Sequence, residues 1–289
     1  MIDIIKSLRP SQWTKNLFLF AALVFSKGVW IGESLLRTIW AFGVFCLLSG
    51  ALYLVNDVAD IKEDRRHPKK SRRPIAAGRV SPVTAIVCAL VLGAAALSAA
   101  FILRPSFGLV AVIYTVLMIA YTFVLKHIVI VDVFVIASGF VLRVVAGGVA
   151  IAVPLSSWLI ICTSLLSLFI AFGKRRHEIV FLDTDAPLHR PILNEYSAYL
   201  LDQMISVVTA STVIAYCLYT VSDETIRKFG TANLIYTTPF VLYGVFRYLY
   251  LVHQKGQGGS PEEMIVRDKP LAAAIALWIV TVIIILYLG

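Results

Sequence analysis

Apolar residues come along this chain in long blocks near membrane-crossing length, and the charged residues gather between them. The pattern predicts nine helical spans, at 17–31, 35–55, 82–103, 107–125, 133–152, 154–173, 203–221, 231–252 and 270–288. The first is the shortest and is expected to tilt or to lie partly at the interface. The fold class that follows is an all-α integral membrane protein. It is expected to form a single polytopic domain over 1–289. Segment 1–16 carries scattered charge and no cleavage pattern, so the first block is expected to be retained as a span.

Composition and charge sharpen this picture. Of the 289 residues, 59% are hydrophobic, and mean hydropathy is +0.85, which excludes an ordinary soluble domain. The Lys and Arg residues concentrate in the N-terminal segment and in the loops after the second, fourth, sixth and eighth spans. The opposite set of loops has only Lys27, Arg37, Arg104, Arg227 and Lys228 in or beside it. By the positive-inside rule the N-terminus is cytoplasmic and, with nine spans, the C-terminus external. The expected location is the inner (plasma) membrane, multi-pass, with the functional face toward the cytoplasm. A net charge of +9 then reflects loops beside anionic lipid, with no nucleic-acid partner implied. Cys46, Cys88, Cys162 and Cys217 all lie inside apolar blocks, without CxxC spacing, and read as small core residues. The stretch from Lys255 to Pro261 reads as a flexible connector.

The chemistry gathers between the second and third spans. Asn56, Asp57, Asp60 and Asp64 stand at relative positions 0, 1, 4 and 8, close to one face of a helix. Such a cluster repels itself unless a cation sits among its members. Oxygen-only ligands favour Mg²⁺, which also takes substrate phosphates. Tyr53 is one turn earlier on the same face. Lys70, Arg72 and Arg73 follow, able to hold phosphate directly.

Three further places add cations. Lys15 sits in Arg9-Pro10-Ser11-Gln12-Trp13-Thr14-Lys15-Asn16, where an interfacial Trp beside Lys at the start of a span reads by itself as membrane anchoring. Lys126 closes the fourth span. Arg143 lies about ten residues into the fifth, roughly 15 Å deep at 1.5 Å per residue. Intramembrane arginine normally faces a cavity or a partner. Asp132, the nearest acid, is about three turns away, which favours a phosphate ligand over an Arg–Asp pair. After the sixth span comes Lys174-Arg175-Arg176-His177-Glu178, where Lys174, Arg175 and Glu178 suit capture of a phosphate, and a positive-inside anchor would look much the same.

Asn56-Asp57-x-x-Asp60-x-x-x-Asp64, followed by Arg73-Pro74 and Gly78, resembles the first Asp-rich motif of the UbiA-type intramembrane prenyltransferase superfamily. The resemblance covers essentially the whole chain. It implies a nine-helix bundle around a central cavity open to the cytoplasm, Mg²⁺ as cofactor and a diphosphate substrate. One place departs from it: typical members carry a second Asp-rich motif after the sixth span, where this chain has Lys174 to Glu178. The segment Arg9-Pro10-x-x-Trp13-x-Lys15-Asn16 resembles the entry segment of one subfamily, the decaprenyl-phosphate phosphoribosyltransferases, which implies that Lys15 reaches the phosphates as readily as it anchors the span.

That resemblance implies transfer of 5-phosphoribose from phosphoribosyl diphosphate to a polyprenyl phosphate, for cell-envelope arabinan precursors. Asp57, Asp60 and Asp64 would be catalytic, with Asn56 completing the metal set. One acidic platform with several extra cations suits this pair of substrates. An alternative is a prenyl diphosphate donor with an aromatic or glycerol-phosphate acceptor. A transporter of anions, with Arg143 lining the path, is a third reading. A homo-oligomer is compatible with all of them.

Overall fold

A backbone in lipid must satisfy its own hydrogen bonds, and this chain does so by helix: no strand occurs among the described residues. The computed structural model describes residues 2–26, 31–68, 70–182, 191–256, 264 and 267–288. Lys27, Lys69 and residues 257–261 of the expected connector lie outside the described residues. The chain divides into two compact units, Met1–Leu155 with Thr184–Glu195, and Ser156–Asp183 with Tyr196–Gly289.

The first unit opens with α1 (Ile2–Ser7), a 3₁₀ segment (Pro10–Leu19) and α2 (Phe20–Phe25). The long helix α3 (Gly32–Ala59) follows, then α4 (Ile61–Arg66), α5 (Pro82–Leu103), α6 (Pro105–Phe123) and α7 (Val131–Ala150). Helix α5 starts where its sequence says it should: the Ser81 hydroxyl accepts from the Thr84 N–H, and Pro82 occupies the first turn. It stops at Arg104, which is extended because Pro105 excludes helical geometry before it. The next helix therefore begins at once, and α5 and α6 form a tight hairpin.

The core of this unit is built from small and aromatic side chains. Ala41, Phe45 and Leu48 of α3 pack with Ala96 and Ala100 of α5, Phe107 and Ala111 of α6, and Ala146 and Ala150 of α7. Small residues allow close backbone approach where no water remains to drive helices together. The extreme case is Gly147 of α7, where a methyl group would lie 2.0 Å from the Leu19 carbonyl oxygen. Glycine there lets the end of the 3₁₀ segment lie directly on α7.

The second unit contains α8 (Ser157–Leu182), α9 (Ala198–Val221), α10 (Asp223–Phe229), α11 (Thr238–His253) and α12 (Lys269–Ile283). Ser197, Ser222 and Asp268 cap α9, α10 and α12, each accepting a backbone N–H three residues on. Asp268 also receives a two-pronged contact from Arg247 of α11, at 3.1 and 2.8 Å. Tyr216 of α9 exchanges a hydrogen bond of 2.6 Å with Thr237 and accepts one of 2.7 Å from Trp278 of α12.

Among the described residues, seven helices are long and apolar enough to cross a membrane: α3, α5 to α9, and α12 with its continuation to Tyr287. With the family assignment below, this makes the chain an integral membrane protein. Two of the nine expected spans look different in the structure. The first is a 3₁₀ segment leading into the six-residue α2, and the eighth is the 16-residue α11. The proline and polar residues at 10–16 and the Thr-Thr-Pro at 237–239 shorten the regular α-helix that the apolar count predicts.

Replacing Gly147 by Ala is expected to lower the thermal midpoint of the detergent-solubilised protein, by the equivalent of about 1–3 kcal/mol for a forced insertion. Gly43→Ala in α3, where a methyl meets no atom within 4 Å, is expected to be neutral or stabilising. Equal midpoints for the two variants would contradict the close approach at 147.

Candidate active site

Helix α3 does not run through its acidic end. Asp60 leaves helical geometry at φ −97°, ψ 15°, and the six residues of α4 resume after it. Asn56 and Asp57 therefore close one helix, Asp60 marks the joint and Asp64 lies on the next. The Asn56 amide donates to Asp60 Oδ2 at 2.9 Å across the joint.

Each acid is matched by a base. Asp57, 1% exposed, accepts from Arg9 and from Arg73 Nη1, the latter at 3.2 Å. The same Arg73 nitrogen donates to Asp64 Oδ2 at 2.6 Å, so one guanidinium bridges two buried carboxylates. Lys126, from the turn after α6, pairs with Asp60. The Arg9 guanidinium also lies 4.7 Å from the centre of the Tyr53 ring. Burial pushes the Asp64 carboxyl above its ordinary range, against the pull of Arg73 and of the nearby Lys70 charge.

Arg73 reaches this position because the loop before α5 is ordered by its own backbone. Its carbonyl accepts from Ala77 N at 2.9 Å, and the Pro74 carbonyl accepts from Arg79 N at 2.8 Å. Gly78 turns the chain at φ 75°. Arg65 donates to the Ala76 carbonyl at 3.1 Å, fastening the loop to α4.

Arg143 belongs to a different network of the same unit and is 5% exposed. Its Nε donates to Asn16 Oδ1 at 2.8 Å, Nη1 to the Gly139 carbonyl at 2.8 Å and Nη2 to the Tyr114 hydroxyl at 2.7 Å. Its guanidinium carbon lies 4.9 Å from the Tyr114 ring centre and 5.4 Å from that of Phe140. Asn16 in turn donates to Cys46 Sγ and Ser49 Oγ of α3, both at 3.3 Å. Lys15, beside Asn16 on the 3₁₀ segment, is half-buried.

Of the residues singled out in the sequence, Tyr53, Asn56, Asp57, Asp60, Asp64, Lys70, Arg73 and Lys126 come together here. Lys174, Arg175 and Glu178 lie in the second unit, on α8. There Arg175, 1% exposed, pairs with Glu178 one turn later. The next residue, Arg176, pairs with Asp202 of α9, which also lies 3.8 Å from His253 Nδ1.

Sequence reasoning did not assign Arg9, Asn16 or Tyr114 to this chemistry. Arg9 looked like part of an entry motif, and its ion pair with Asp57 spans 48 residues. Tyr114 is one aromatic within an apolar block, and its neighbours in sequence do not single it out. Nothing local signals a hydrogen bond such as Arg143 to Asn16, made across 127 residues.

Among the described residues no three acids, histidines or cysteines are gathered closely enough to hold a metal ion by themselves. The donor set nevertheless fits Mg²⁺. It is all oxygen, and Mg²⁺ characteristically takes only one or two carboxylates while water and substrate phosphates complete its shell. Arg9, Arg73 and Lys126 supply the positive charge that balances these acids.

The chain is 35% identical to a decaprenyl-phosphate phosphoribosyltransferase of Mycobacterium tuberculosis over 283 residues, covering 96% of this chain and 92% of that protein. It is 33% identical to the protein of the same name from Corynebacterium glutamicum, covering 98% and 86%. In fold it is similar to a UbiA homolog from Archaeoglobus fulgidus solved with GPP and Mg²⁺, with a TM-score of 0.76 at 19% identity over 98% of this chain and 99% of the other. The pattern described as the UbiA prenyltransferase family matches residues 16–264, from the asparagine that holds Arg143 to beyond α11, and the chain belongs to that family.

Proposed function

We propose that this protein is a Mg²⁺-dependent phosphoribosyltransferase, transferring 5-phosphoribose from phosphoribosyl diphosphate to a polyprenyl phosphate of decaprenyl type. The observation that carries the reading is one acidic cluster, Asn56 to Asp64, surrounded by Arg9, Arg73 and Lys126. Near full-length identity to proteins named for this activity supports it. The product class is a precursor for envelope arabinan. A prenyl diphosphate donor with an aromatic or glycerol-phosphate acceptor is the alternative, favoured by the fold likeness to a homolog holding GPP.

The architecture proposed with it is a single nine-span bundle in the plasma membrane, with a central cavity open to the cytoplasm. Its N-terminus is cytoplasmic and its C-terminus external. The excess of Lys and Arg in the loops that hold the site supports this orientation.

In the reaction, the ribose C1–oxygen bond to diphosphate breaks and the diphosphate leaves with the electron pair. A new bond forms between C1 and an oxygen of the lipid phosphate. That oxygen is already ionised at neutral pH, so no general base is required. Asn56, Asp57, Asp60 and Asp64 are the proposed holders of Mg²⁺, which supplies charge neutralisation for the leaving group. Arg73, Lys70 and Lys126 hold phosphoryl oxygens once the acids are engaged elsewhere, and the Tyr53 hydroxyl orients the donor. Lys15 and Arg143 approach from the N-terminal segment and α7. Three N–H bonds of Arg143 are committed to protein oxygens, and this reading gives the remaining two to a phosphate. Lys174 and Arg175 form a second phosphate contact on α8, with Glu178 orienting the Arg175 guanidinium. The rate comes from positioning and electrostatic stabilisation, with water excluded to prevent hydrolysis of the donor.

Purified protein with phosphoribosyl diphosphate, Mg²⁺ and mixed polyprenyl phosphates is expected to yield a polyprenyl-phosphoryl phosphoribose by mass spectrometry. Product from prenyl diphosphates alone would establish the alternative. Asp60→Ala and chelation of Mg²⁺ are each expected to reduce turnover by at least about a hundredfold. Near-normal activity of the variant would remove Asp60 from the site. Arg143→Ala is expected to lower the thermal midpoint and also raise KM for the donor. An unchanged KM would confine Arg143 to structure. Arg73→Met leaves buried Asp64 without its partner and should destabilise the metal-free protein by about 3 kcal/mol. Thermal unfolding with added Mg²⁺ should recover part of that loss, and no recovery would count against metal binding at these acids.

A further inference from the structure

The segment Pro10–Leu19 is unusual backbone. Runs of 3₁₀ helix rarely exceed three or four residues, and this one has ten. It is entered through Arg9 at φ 53°, ψ 64°, a left-handed conformation that is costly for a residue with a side chain. Strain of this kind persists where surrounding contacts impose it, and Arg9 is held by its ion pair with Asp57 and its position over Tyr53.

Three residues per turn put Pro10, Trp13, Asn16 and Leu19 in one row. Leu19 is buried in the core, and Asn16 is buried against Arg143, Cys46 and Ser49. Trp13 is the next member of the row toward Arg9. Its indole Nε1 is buried and has no hydrogen-bond partner among the described residues. An indole nitrogen only donates, so an incoming oxygen alone can satisfy it. A tryptophan serving as an interfacial anchor would instead keep its N–H in the wet headgroup layer. The orphan donor is therefore poorly explained by anchoring.

We propose that the Trp13 indole N–H is a substrate-binding donor, kept for a phosphoryl oxygen. Arg143, besides its proposed phosphate contact, fixes through Asn16 the row on which Trp13 stands. Arg9 couples this donor to the acidic cluster. A ligand that engaged Asp57 would release the ion pair that holds Arg9 in its left-handed conformation. The inference rests on the phosphoribosyl-transfer reading for the identity of the two phosphates. Both substrates offer the same chemistry, phosphoribosyl diphosphate on one side and polyprenyl phosphate on the other.

The test is Trp13→Phe in the full-length protein, which keeps a ring and removes the N–H. Affinity for phosphoribosyl diphosphate with Mg²⁺, and separately for polyprenyl phosphate, is measured by calorimetry alongside the thermal midpoint without ligand. The expected result is about a tenfold weaker Kd for one of the two, which identifies the source, with an unligated midpoint equal to or above that of the wild type. Unchanged affinity for both, or a lower midpoint with unchanged affinity, overturns the proposal. Should the variant fail to fold, the indole N–H signals of the wild type are followed by NMR, with assignment by Phe replacement of the other four tryptophans. A shift of the Trp13 signal on adding either substrate supports the contact, and its absence with both overturns it. Wild-type protein that forms no phosphoribosyl lipid would refute the function. Wild-type protein that forms it while Trp13→Phe binds normally would refute only this donor.

Discussion

A guanidinium inside an apolar helix bundle must have its donors met, and the first unit is arranged around that demand. Arg143 reaches an asparagine on the 3₁₀ segment, a carbonyl of its own helix and a tyrosine on α6. The asparagine passes the connection to Cys46 and Ser49 on α3. Four elements that share mainly apolar contacts are thus fixed relative to one another by directional bonds. In a core where alanine and glycine provide closeness but little specificity, such bonds select one register.

The acidic cluster obeys the same logic at the edge of the unit. Two carboxylates as buried as Asp57 and Asp64 cannot both stay charged without partners, and Arg73 serves both. The cost of that arrangement shows in Asp64, whose carboxyl remains above its ordinary range despite the guanidinium beside it. The site is held in a charged but balanced form by these ion pairs.

Much of this was legible in the sequence. Hydropathy blocks located the long helices because a lipid-spanning segment has few ways to hide its backbone. The spacing of Asn56, Asp57, Asp60 and Asp64 pointed to one cluster, and the Arg73-Pro74 close belonged to it. The spacing did not reveal that the helix breaks at Asp60, since no proline or glycine marks the joint. The partners of Arg143 were equally hidden: a sequence shows that an intramembrane arginine needs acceptors, but only the packing of α7 against the 3₁₀ segment supplies Asn16. Gly147 illustrates the same limit, because its meaning lies in the Leu19 carbonyl opposite.

The broken end of α3 has one more consequence. A helix of 28 residues carries a partial negative charge at its C-terminus, where the last carbonyls lack partners, and acidic side chains there add to it. Helix α3 has no basic residue in its last turn. Asn56 and Asp57 thus stand where the peptide dipoles of α3 already favour positive charge, while Asp60 also heads α4 and feels the opposite end of a second, shorter dipole. The backbone adds to the side chains, and substituting one acid weakens the attraction for positive charge without removing it.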